Sequence, residues 1–180
     1  MSVNINILKR FIIYMAILTF VMFTVWGFVR SFMDCPPGDY ETEVCDIRLK
    51  DKKYTEALKA ANEALAKTNN HRGAMMCKAL VFISQKKYLE ANEELTNLIS
   101  FLEKNLEDDD RTGVGTLAAA YANRGIIKDR NKDYENALKD YIKALGIDHE
   151  AVAGPGLGTI ILNYKFKSSS VRERALYLNE

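Results

Sequence analysis

The chain has 180 residues, nearly half of them apolar, with 25 lysines and arginines against 24 aspartates and glutamates. That length accommodates one soluble domain plus an appendage, and three prolines and ten glycines suit a mainly helical chain. Residues 1–30 hold three basic side chains and no acidic one, so residues 31–180 are slightly acidic, which excludes the electrostatic footprint of a nucleic-acid binder.

The first predicted element is a membrane anchor in residues 1–30. Phe11 to Val29, FIIYMAILTFVMFTVWGFV, contains no charged side chain. A helix of that length rises about 28 Å, close to the hydrocarbon thickness of a bilayer. Tyr14 and Trp26 stand towards its two ends, as interfacial aromatics do. The run is longer than the apolar region of a signal peptide, and Val29 to Met33 offers no small-x-small cleavage site, so the anchor is expected to stay in place. Lys9 and Arg10 precede it, whereas Arg30 is followed by Asp34, Asp39, Glu41 and Glu43. The positive-inside rule then puts the N-terminus in the cytoplasm and the rest across the membrane, in the periplasm if this is a bacterial inner membrane.

Residues 31–37 read as a linker. Cys35 and Cys45 flank Pro36-Pro37-Gly38, a turn able to bring them into bonding range in an oxidising compartment. Two free thiols are the alternative, and Cys77 reads as a buried apolar filler inside a helix.

A pattern then recurs. KYTEALKAANEALAKT begins at Lys53, KYLEANEELTNLISFL at Lys87 and DYENALKDYIKALGID at Asp133. Tyr54, Tyr88 and Tyr134 are matched by Ala57, Ala91 and Ala137, with periods of 34 and then 46 residues. Self-similarity at this period means stacked helix pairs that bury their apolar faces on one another. The pattern resembles the tetratricopeptide repeat, two antiparallel helices per unit, most closely where Tyr121, Gly125, Tyr134, Ala137, Tyr141 and Ala144 meet its small and aromatic positions. The resemblance implies an all-α solenoid with units at about 38–71, 72–105 and 118–151. Residues 106–117 form an insertion, in which the second B helix runs on through Leu102 and Leu106 and Thr112–Thr116 leads in to the next helix. Residues 152–180 read as a degenerate fourth pair that caps the array, with helices at 159–166 and 170–178. Ala57, Ala91, Gly125, Ala137, Tyr141 and Ala144 are its expected packing residues.

Chemistry is hard to place. His71 and His149 fall at inter-repeat turns, no clustered Cys and His suggest a metal, and Gly154-Pro155-Gly156-Leu157-Gly158 lacks the lysine of a phosphate loop. Neither an enzyme nor a cofactor is expected. The resemblance implies instead a groove lined by the first helix of each pair. Its expected contacts are Thr42, Asp46 and Leu49, then Met76, Leu80, Ile83 and Ser84, then Ala119, Ala122, Ile126, Asp129 and Arg130. The clamp for a C-terminal carboxylate used by chaperone-binding relatives is absent, since its positions hold Thr42, Asp46, Cys77, Ala119 and Asn123. An apolar peptide or helix is the expected partner, unless the chain's own C-terminal helices cover the groove. The leading functional reading is a membrane-anchored scaffold or assembly adaptor. The alternatives are an accessory subunit whose transmembrane helix carries the specificity, and a cytosol-facing receptor on an organelle membrane.

Overall fold

A computed structural model describes residues 5–33, 36–107, 109–150, 152 and 170–179. It divides into two units, Met1–Pro36 and Pro37–Glu180. All regular structure among the described residues is helical.

The first unit is α1, Ile5–Met33. Its run from Ile5 to Arg30 is long and apolar enough to cross a membrane, and every side chain in that run is exposed. The Thr19 hydroxyl donates to the Met15 carbonyl at 2.7 Å and Thr24 to Val21 at 2.8 Å. Neither hydroxyl therefore carries an unsatisfied donor into apolar surroundings.

The second unit contains α2 (Asp39–Lys50), α3 (Tyr54–Lys67), α4 (Arg72–Ser84), α5 (Tyr88–Asn105), α6 (Arg111–Arg130), α7 (Tyr134–Ile147) and α8 (Val171–Asn179). Helices α2/α3, α4/α5 and α6/α7 pair, the first members of successive pairs touch one another, and α8 lies on α7. The three turns inside the pairs are the same device. Lys52, Lys86 and Lys132 each have φ near +60°, and the amide after each reaches back to the helix it has left: Lys53 to the Arg48 carbonyl (2.8 Å), Lys87 to Phe82 (2.9 Å) and Asp133 to Lys128 (2.9 Å). This left-handed helix stop usually takes glycine. Lysine fills it in all three pairs, an internal repeat visible in the backbone.

Small residues let the helices of a pair approach. Ala57, Ala91, Ala137 and Ala144 are fully buried, and Tyr141 nearly so. A Cβ on Gly125 would lie 2.7 Å from the Tyr141 ring and 3.3 Å from the Ala137 carbonyl. A valine there must push α6 away from α7. Gly125→Val is expected to lower stability by about 1–3 kcal/mol, read as a reduced urea midpoint at unchanged slope.

The longer period has a structural account. Compared with the preceding repeat, α5 is four residues longer than α3, α6 is seven longer than α4, and the connection gains one. Thr112–Thr116 is thus helical and belongs to α6, in place of the expected lead-in segment. The Asp110 carboxylate accepts the Gly113 amide at 2.8 Å and so starts the helix, while Arg72 pairs with the same carboxylate. Gly113 is buried against Leu106, Asp110 and Arg72, where a side chain has no room.

The cysteine expectation is corrected. Cys45 of α2 is bonded to Cys77 of α4, with the Cα atoms 6.4 Å apart. Cys35 lies outside the described residues. Cys45 sits mid-helix on the face packed against α3 and α4, fully buried with Ala57, Ala61 and Val81, so it points to Cys77. Cys77 is buried as expected, but it is bonded as well as packed.

The larger core runs through α4–α7, with Ala79, Leu95, Leu98, Leu102, Leu117, Tyr121 and Ile127 at its centre. One carboxylate is buried beside it. Asp140 of α7 receives two hydrogen bonds from Arg124, both 2.8 Å, and pairs with Lys128 at 2.7 Å. Next to it the Tyr121 hydroxyl donates to Glu103 at 2.5 Å and accepts from Lys143 at 3.2 Å, with the Arg124 guanidinium 5.1 Å from the Tyr121 ring. These polar contacts tie α5, α6 and α7 together.

Candidate functional site: a groove between α2, α4 and α6

Residues three and four apart share one helix face. Thr42 and Asp46 do so on α2, Gly73, Met76, Cys77 and Leu80 on α4, and Thr112, Gly115, Thr116 and Ala119 on α6. The three faces meet, with Arg111, around an open groove of about 480 Å³.

Both rims at the start of α4 are held by side-chain caps. The His71 imidazole accepts the Ala74 amide through Nδ1 at 3.3 Å, which leaves Nε2–H to donate to Asp39 at 2.9 Å. Thr42 Oγ1 lies 3.3 Å from the same Nδ1. On the other side the Arg72–Asp110 pair joins the starts of α4 and α6. The Gly113 amide and the Arg72 guanidinium hold the Asp110 carboxyl below its ordinary pKa.

The surface is largely apolar, and two of its three hydroxyls are engaged. Thr42 donates to the Gly38 carbonyl at 2.9 Å and Thr116 to Thr112 at 2.8 Å. Asp46 makes no hydrogen bond and no ion pair among the described residues. Its side chain is exposed, and the neighbouring protein surface still takes enough water from it to raise its pKa, against the pull of Lys50 one turn on. The Arg111 side chain also has no partner among the described residues. No group of three or more His, Cys, Asp or Glu side chains among them could hold a metal.

The residues expected to line one continuous groove divide into three groups. Thr42, Asp46, Met76, Leu80 and Ala119 line it. Leu49 and Ile83 pack, partly buried, against the two cores, Ala122 is buried in the larger one, and exposed Ser84 donates to the Leu80 carbonyl at 2.9 Å; none of the four lines the groove. Ile126, Asp129 and Arg130 stand at the far end of α6, around a separate cavity of about 330 Å³ that Val171 and Arg174 of α8 help to form. There Arg174 binds Asp129 through two bonds of 2.7 Å, the Tyr141 hydroxyl donates to the same carboxylate at 3.3 Å, and Ile126 packs with Val171 beside Ala175. Arg174 keeps the Asp129 carboxyl below its usual range, and burial raises the Tyr141 phenol. Arg130 donates to Tyr88 at 3.0 Å. The chain's own C-terminal helix thus occupies this end. Ser170 and Glu173 start that helix with reciprocal bonds of 3.1 Å.

Arg111, Thr112, Gly115 and Thr116 line the groove but were not among the contacts expected of it. All four lie on the added turns of α6. Val114, Leu117 and Tyr121 follow helical spacing with an aspartate cap upstream, but two glycines obscured the continuity.

No protein-family model matches the sequence, and no curated protein matches it. Solved structures do resemble it. The Arabidopsis OM64 TPR domain superposes with a TM-score of 0.58 at 15% identity, covering 79% of this chain and 94% of that one. The Sgt2 TPR domain from Aspergillus fumigatus gives 0.56 at 12% identity, covering 81% and 78%. The first TPR of Spaghetti (RPAP3), bound to the HSP90 peptide SRMEEVD, gives 0.53 at 17% identity, covering 80% and 94%.

Proposed function

From the tetratricopeptide-repeat fold of the array, we propose that this protein is a membrane-anchored scaffold that holds a segment of another protein in the α2–α4–α6 groove. The observation that carries this reading is the groove itself: an apolar floor at Met76 and Leu80, walled by two turns of α6 that the preceding repeat lacks. That one structural relative was solved with a peptide bound supports a peptide as the kind of partner. The same fold favours a binding role over an enzymatic one.

The anchor is α1, and the array faces the translocated, oxidising side, the periplasm in a bacterium. The Cys45–Cys77 bond supports this side, because structural disulfides persist in oxidising compartments and are rare in the cytosol. A reporter fused at Glu180 and active only after export is expected to give signal.

Photocrosslinking from Leu80 and from Thr116, in cells with the full chain in its membrane, tests the groove. Adducts to a second protein are expected from both positions and not from Asn97 on α5, which is exposed but does not line the groove. If Leu80 and Thr116 yield intramolecular products alone, the groove has no partner and the proposal fails.

A further inference from the structure

We infer that the segment received by this groove is apolar with a charged residue of each sign, a lysine or arginine directed to Asp46 and a carboxylate directed to Arg111. This rests on the groove reading above and specifies its partner. The floor at Met76 and Leu80 is apolar, and the hydroxyls of Thr42 and Thr116 already donate to backbone carbonyls, so neither has its proton to offer a ligand. Two charged side chains line the groove, Asp46 on α2 and Arg111 on α6, and neither has a hydrogen bond or ion pair among the described residues. Four other aspartates of the array are paired within the chain: Asp39 by His71, Asp110 by Arg72, Asp129 by Arg174 and Asp140 by Arg124 and Lys128.

A segment docking in the groove takes water from the Asp46 carboxylate at its wall, and a cation brought by that segment offsets this dehydration with a charge-assisted bond. The same charge disfavours acidic segments at the α2 wall, giving the groove a way to reject as well as to accept. Arg111 stands on the turns that α6 has gained, so the lengthening of that helix also supplies the second polar hook.

The test uses the full chain in lipid nanodiscs and fluorescein-labelled peptides of about ten residues, which reach at most about 35 Å when extended. All share a core of Leu, Ala and Ser and differ in their flanking residues: Lys with Glu, Gln with Glu, Lys with Gln, and Glu with Glu. The Lys/Glu peptide is expected to bind about tenfold more tightly than either singly charged one, and Glu/Glu the least. Asp46→Asn should abolish the advantage of Lys over Gln while keeping that of Glu over Gln, and Arg111→Gln should do the reverse. Both substitutions are on exposed side chains, and an unchanged melting temperature checks the fold of each variant. If the wild type binds all four equally, or if Asp46→Asn leaves the lysine preference intact, the charge assignment is overturned while the groove reading stands. If none binds and Leu80 crosslinks only within the chain, both are overturned.

Discussion

Asp140→Ala is expected to lower the stability of the array by about 3 kcal/mol, seen as a shift of the urea midpoint for the loss of helical signal. The side chain of Asp140 is 4% exposed, and two cations converge on it, Arg124 at 15% exposure and Lys128 at 24%. Removing the carboxylate leaves both cations close together between α6 and α7 with nothing to neutralise them. Their partial access to water keeps the loss at the low end for a broken buried pair. Burial alone would raise the Asp140 pKa, but the bonds from Arg124 and Lys128 outweigh it and the net shift is downward. A carboxyl depressed on folding contributes stability that is present above its unfolded pKa, about 3.9, and lost as pH falls through the lower folded value. Asp129, depressed by Arg174, acts in the same sense. The wild type should therefore lose stability progressively below about pH 4, and Asp140→Ala should show a shallower acid limb. An unchanged acid limb in the variant would mean that other carboxylates govern acid unfolding.

Opening the Cys45–Cys77 bond is the second large effect. The two cysteines are 32 residues apart, so the bond closes a loop that runs through α3 and links two helices not adjacent in the chain. On the chain-entropy account a loop of this size contributes about 3–4 kcal/mol. Cys45→Ser with Cys77→Ser, or reduction under unfolding conditions, is expected to lower the melting temperature of the array by many degrees. Single replacements should match the double one. Because the bond lies under the groove, where Cys77 is part of the lining, its loss should also loosen α2 against α4 and weaken binding there. A double variant with the wild-type melting temperature would show that the bond adds nothing to the packing of Ala57, Ala61 and Val81 around it.

The long apolar helix and the repeat architecture were legible because they depend on local pattern. An uncharged run of bilayer length needs no tertiary information. Helix pairs that must interdigitate put alanine and glycine at the same spacing in each copy, as at Ala57, Ala91 and Ala137. The disulfide was harder to see. Pairing by proximity in the chain favoured Cys35, whereas stacking sets Cys45 against a residue nearly one repeat away. The groove was half legible. Its contacts on the first helices were implied by the family resemblance, but occupation of one end by α8 depends on where a distant helix docks.

The sequence by itself determined that this chain has an uncharged segment long enough for a membrane and that its remainder is built from repeated helical pairs, since both are statements about neighbours along the chain. Only the tertiary structure decided three further points. Cys45 meets Cys77 because two first helices stack. Arg174 meets Asp129, which closes the end of α6 with Ile126. Arg111 and Thr116 meet Met76 and Leu80, because the added residues continue a helix through two glycines. Each of these joins residues more than 30 positions apart, and such meetings are set by the packing of whole helices, which no local pattern specifies.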